Sequence, residues 1–128
     1  MSPLFNILIV GAGSCLGGMA RYMLSLGVQT RSTGEFPWGT LAVNLLGCLI
    51  LGVVYGLLER GFRLSEPIKL FLTVGFCGGF TTFSTFVREN TLLFGAGSMM
   101  LFAAYATVSI VAGMMLLYAG YFMTRLIH

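Results

Sequence analysis

Four apolar stretches fill nearly all of this 128-residue sequence, and each reaches the length of about 20 residues that a helix needs to cross a bilayer. Only 9% of the residues are charged, against about 25% in soluble domains, so most of the chain's surface must face lipid. Short connections use up the remaining length. The expectation is one all-α transmembrane domain over residues 1–128, with four spans and no room for a soluble domain. Glycine supplies 18 residues, about twice its average share, which suits helices in close backbone contact. The opening Met1-Ser-Pro-Leu-Phe-Asn lacks the basic region of a secretory signal, so the first run should remain as a helix.

The spans are expected at about Leu4–Gly27, Phe36–Leu58, Pro67–Phe94 and Met99–Met123. Val28 to Glu35, Glu59 to Glu66 and Gly95 to Ser98 form the connections. Pro37 and Trp38 suit a helix's first turn and the membrane interface. Span one carries Gly13 and Gly17 at the small-xxx-small spacing of packed membrane helices. A phosphate-loop reading of its glycines fails, because no strand precedes them and no Gly-Lys-Ser/Thr follows. Arg21 stands in or at the edge of that span, where it can snorkel to the interface or face protein and water. Thr40, Asn44 and Gly47 recur at i, i+4, i+7 on span two, and Tyr105, Ser109 and Gly113 at i, i+4, i+8 on span four. Each set makes a polar and small stripe on an otherwise apolar helix.

Span three contains Gly75-Phe-Cys-Gly-Gly-Phe-Thr-Thr-Phe-Ser-Thr-Phe86, with three glycines and four hydroxyl residues. Irregular backbone at membrane depth survives only where protein buries it or a wet cavity adjoins it. One reading is therefore a helix interrupted near Gly75–Phe86 that presents carbonyls, hydroxyls and phenyl edges to a small ion. The other is a close-packed helix in which Gly75 and Gly79 admit a neighbour. Arg88 and Glu89 follow, placed either to pair or to face water.

Little here supports catalysis. The one histidine, His128, is terminal, no Ser or Cys has a base placed to activate it, and Glu89 is the sole acid within a span. Cys15, Cys48 and Cys77 lie in apolar runs and are odd in number, which argues against a disulfide framework or a metal site. The formal charge of +3 is spread along the chain, with no run suited to nucleic acid. A small dual-topology, proton-coupled exporter of the four-helix drug-resistance type is an alternative of the right size. That mechanism requires a membrane carboxylate in span one, which this chain lacks. A purely structural subunit would leave Asn44 and the hydroxyls without a task. Arg60, Arg63, Lys69 and Arg125 fall on one side of the membrane, against Arg31 with Arg21 and Arg88 near the other. That bias is weak under the positive-inside rule, so insertion in both orientations is expected.

Over nearly its whole length the chain resembles the CrcB/Fluc family of fluoride ion channels. The resemblance rests on Gly17-Gly18-x-Ala20-Arg21-Tyr22, on Gly39-Thr40-Leu-x-Val43-Asn44-x-x-Gly47, and on Gly78-Gly79-Phe80-Thr81-Thr82-Phe83-Ser84-Thr85-Phe86. It implies an antiparallel, dual-topology homodimer in a bacterial inner membrane that conducts fluoride passively and selectively through two pores, relieving fluoride toxicity. It also implies a central structural sodium ion held by the carbonyls of Gly78 and Thr81. Carried over by motif, Phe83 and Phe86 match the paired pore phenylalanines and Asn44 the pore asparagine. Ser84 and Thr85 match the pore hydroxyls, and Tyr105 and Ser109 the polar track of span four. Gly113 stands where another hydroxyl is expected, and Arg21 matches a residue near the pore mouth. The physics is compatible: phenyl edges are electropositive, hydroxyls and amides can replace water around an anion, and a basic side chain in the narrow part would bind too tightly to release.

Overall fold

The structure, a computed structural model, describes residues 2–127; Met1 and His128 lie outside the described residues. Among the described residues, four helical segments are long and apolar enough to cross a membrane: Pro3–Thr30, Trp38–Glu59, Glu66–Gly95 and Met99–Leu126. Helix α1 (Pro3–Thr30) starts where Ser2 Oγ accepts from Phe5 N–H at 3.2 Å, with Pro3 in the first turn where its missing donor costs nothing. It runs into the residues expected to form the first connection, Val28 to Thr30. The hydroxyls of Thr30 and Ser32 explain the extension, because they donate to the last helical carbonyls, Gly27 O and Val28 O.

Helix α2 (Trp38–Glu59) has no capping side chain of its own. Gln29 of α1 takes that role, accepting from Gly39 N–H at 2.9 Å while its amide nitrogen donates to Phe36 O. The two helices are thereby joined at their shared end. The C-terminus of α2 turns on Gly61 (φ 95°), which lets Phe62 N–H reach back to Leu57 O and Gly61 N–H to Leu58 O. The third span is composite. Helix α3 (Glu66–Leu70) leads into a wider π-wound segment, Phe71–Cys77, then the short α4 (Gly78–Phe80) and, past a break, α5 (Ser84–Gly95). Gly97 (φ 79°) closes α5 as Gly61 closes α2, with Ser98 N–H on Leu93 O. Helix α6 (Met99–Met123) returns and ends in a 3-10 turn over Thr124–Ile127.

Gly75–Phe86 is both closely packed and interrupted, at different residues. The glycines serve packing: a Cβ on Gly75 would sit 3.0 Å from Gly13 Cα, and one on Gly79 only 2.6 Å from Ser14 O. Both lie on α1, so α1 lies directly against the π-wound segment and α4. The interruption falls later, at Thr81–Phe83, on residues that are not glycine. Helices α2 and α6 form a second close pair, in which a Cβ on Gly120 would meet Leu49 O at 2.5 Å. A small core of Leu41, Leu93 and Tyr105, backed by Phe36, Phe86 and Phe102, joins α5 to α2 and α6. Many of the remaining large apolar side chains point outward, as a lipid solvent requires.

Candidate functional site

The break is built from redirected hydrogen bonds. In a continuing helix Thr82 N–H would donate to Gly78 O and Thr85 N–H to Thr81 O. Thr81 instead turns extended (φ −93°, ψ 159°). Thr82 N–H goes to Asn44 Oδ1 at 2.8 Å, and Asn44 Nδ2 returns a bond to Thr82 O at 3.1 Å. Thr85 N–H goes to Thr82 Oγ1 at 3.3 Å, and that hydroxyl donates to Thr85 Oγ1 at 3.1 Å. The amide of Asn44 thus does for the broken strand what a helix would have done, which matters where each orphaned backbone group costs several kcal/mol by order of magnitude. The donors that a continuing helix would give the Gly78 and Thr81 carbonyls, Thr82 N–H and Thr85 N–H, are thereby taken elsewhere. Between them in sequence, the Gly79 carbonyl accepts from Arg21 Nε at 3.0 Å. Arg21 therefore reaches inward to the broken span and does not snorkel freely.

A cavity of about 410 Å³ opens beside the break, between α2, the third span and α6. Asn44, Gly78, Thr81, Phe83, Phe86 and Ser109 all reach it, drawn from three separate spans. The hydroxyl of Ser109 is buried with no partner among the described residues. The rings of Phe83 and Phe86 lie 6.0 Å apart at 39°. Phe83 is 75% exposed in the single chain, whereas Phe86 packs 5.0 Å from the Tyr105 ring. Among the described residues, no ionisable side chain other than Cys48 and Cys77 lines the cavity. Ser84 is exposed and Thr85 is held by Thr82; neither belongs to the lining, nor does Tyr105.

Two residues gain partners that sequence spacing left open. Glu89 does not pair with Arg88, since successive helical residues point to different faces. Its carboxylate accepts from Thr40 Oγ1 at 3.0 Å and from Tyr105 Oη at 2.9 Å, tying α2, α5 and α6 together. Tyr105 is fully buried. The signal was present: Glu89 is the one acid inside a span, and Thr40 and Tyr105 head the two polar stripes, but nothing local shows that the three converge. Thr82 was likewise only one hydroxyl among four, and the structure makes it the hinge of the break. Gly113 is a packing position, since a Cβ there would touch Cys48 Sγ at 3.4 Å. Cys15, Cys48 and Cys77 are free thiols.

Residues 8–121 match the family model described as CrcB-like protein, Camphor Resistance (CrcB). A relative from Phocaeicola vulgatus, named fluoride-specific ion channel FluC, is 40% identical over 119 residues, covering 93% of this chain and 98% of its own. A protein of the same name from Nitrobacter winogradskyi is 41% identical, covering 94% and 96%. One from Bacteroides fragilis is 42% identical over 109 residues, covering 83% and 85%. With four spans, these likenesses make the chain a multi-pass protein of the bacterial inner membrane. The match spans all four helices and includes the broken segment together with the residues that clasp it, and the chain belongs to the CrcB family.

Proposed function

We propose that this chain is a passive, highly selective fluoride channel that works as an antiparallel, dual-topology homodimer with two pores and lowers fluoride in the cytoplasm. One observation carries the reading: phenyl rings, an amide and a buried hydroxyl meet in one cavity, where among the described residues the hydroxyl has no partner and the lining has no basic side chain. Such a surface can replace part of a small anion's hydration through ring edges and O–H or N–H donors, yet holds no fixed cation to trap it. The relatives' printed name supplies the ion. Phe83 and Phe86 are assigned to the contact with fluoride, with Asn44 and Ser109 as polar neighbours. Ser84, Thr85 and Tyr105 complete the path in the assembled dimer, and Arg21 acts near its mouth by holding the Gly79 carbonyl. No nucleotide or proton couples to the ion, so its direction follows the gradient. An inside-negative potential favours exit by about 2.3 kcal/mol per charge per 100 mV.

The sodium ion belongs to the same proposal. The carbonyls of Gly78 and Thr81 have both lost their helical donors, and neutral oxygens suit a hard cation. Two carbonyls are too few for one ion, and a second copy in the opposite orientation would bring two more. Bound there, sodium would offset the cost of leaving those carbonyls unpaired in a dry interior. The chain's own part is to keep the break open, through Asn44, Thr82 and Arg21.

A proton-coupled exporter draws some support from Glu89, a carboxylate inside the bundle. It is held by two hydroxyls and lies outside the cavity lining, and the relatives are named channels, so the exporter is the weaker reading. Fluoride-electrode efflux from liposomes holding the purified chain separates the two. Fluoride should leave rapidly, chloride should not, and neither a pH nor a sodium gradient should drive uphill movement. Uphill flux under either gradient would replace the channel with a coupled transporter. For the assembly, a C-terminal tag labelled on intact cells should be found on both sides of the membrane; one uniform orientation would remove the antiparallel dimer.

A further inference from the structure

Away from the broken span, the C-terminal ends of α2 and α6 flank a half-open polar chamber of about 220 Å³. Gly56, Glu59, Arg60, Tyr121, Thr124 and Arg125 line it. Arg60 Nε is buried with no hydrogen-bond partner among the described residues. Glu59 is no partner for it: its carboxylate accepts from the Tyr121 hydroxyl, and among the described residues the one ion pair joins Lys69 to Glu66. Arg125 rests over the Phe122 ring at 4.9 Å, which holds its guanidinium in place without neutralising it. Two guanidiniums against one carboxylate leave the lining with a formal charge of +1.

Helix C-termini attract cations, and that accounts for arginines at these positions. It does not account for a polar chamber lined by an arginine whose Nε–H is buried without a partner among the described residues, an arrangement that ordinarily costs about 1–3 kcal/mol. Planar guanidiniums are the side chains best matched to phosphate oxygens. The chamber also lies at a definite depth. It sits at the last turn of two membrane-spanning helices, beside the outward-facing aromatics Tyr55, Tyr118 and Phe122, the side-chain types that gather at the headgroup level. We infer that Arg60 and Arg125 form a binding site for a phosphate group, supplied by the headgroup of an anionic phospholipid. The site needs only the membrane placement of the chain and stands apart from the channel reading. Glu59 opposes the ligand, and the Tyr121 hydroxyl holds it against α6.

The test is native mass spectrometry of the full chain in detergent, with phosphatidylglycerol, phosphatidylcholine or inorganic phosphate added separately. Phosphatidylglycerol should be retained in preference to phosphatidylcholine. Arg60→Gln and Arg125→Gln should each weaken that retention about fivefold, the scale of one basic side chain near an anionic surface. Arg31→Gln, in the first connection and remote in sequence from the chamber, should leave it unchanged. Glu59→Gln should strengthen retention, a gain that lost folding could not produce. That gain keeps the proposal open to refutation even if Arg60→Gln fails to fold. Unchanged retention in both arginine variants, or a loss in Glu59→Gln, overturns the site. If inorganic phosphate displaces phosphatidylglycerol and binds as well alone, the lipid assignment falls and the chamber takes a free oxyanion.

Discussion

Phe83→Ile and Phe86→Ile are each expected to slow fluoride efflux from liposomes at least about tenfold, the effect of about 1.4 kcal/mol added to the barrier. Aliphatic side chains keep the apolar volume and remove the electropositive ring edge, so the change isolates what the ring offers an anion. The two positions separate flux from stability in different ways. Phe83 is 75% exposed in the single chain, so isoleucine there removes little packing within it. Phe86 packs on Tyr105 with ring centroids 5.0 Å apart, and losing that pair costs about 0.5–1.5 kcal/mol. Phe83→Ile should therefore melt like the parent and Phe86→Ile slightly lower, while both lose conduction. Phe→Tyr should do less harm at either site. Phe122→Ile is the control, since it lies far along α6 beside Tyr118 and Arg125, outside the cavity. If both aliphatic variants conduct like the parent, the rings are packing groups and the selective contact rests with Asn44 and the hydroxyls.

Asn44→Leu should have the largest effect on the fold. It strands both Thr82 N–H and Thr82 C=O, each bonded in the parent only to Asn44 among the described residues, at about 1–3 kcal/mol apiece. The melting temperature in detergent should fall and efflux should cease, because the break is then free to close or shift. Asn44→Asp divides the two consequences. It keeps an acceptor for Thr82 N–H, so melting should fall less, but it sets a negative charge on the cavity wall, so fluoride flux should fall as far as in the leucine variant. A normally melting Asn44→Leu would mean that something else holds the break. A normally conducting Asn44→Asp would take Asn44 off the ion's path.

Sequence and tertiary structure contributed different things, and the division follows physical range. Span number and approximate ends were legible because they depend on apolar length, on Pro at helix starts and on glycine at helix ends, all local. The stripes headed by Thr40 and Tyr105 were legible because helical periodicity is local too. Which residue of a neighbouring span each stripe meets is not local. By sequence Glu89 could pair with Arg88 or face water, and only the bundle placed it between Thr40 and Tyr105. The composition of Gly75–Phe86 announced something unusual but could not say which residues pack and which break. That was decided by α1, where Gly13 and Ser14 leave no room for a Cβ on Gly75 or Gly79, and by α2, whose Asn44 diverts the amide of Thr82. A helix opens where another element offers its backbone better partners, and the identity of that element is a property of the packed chain.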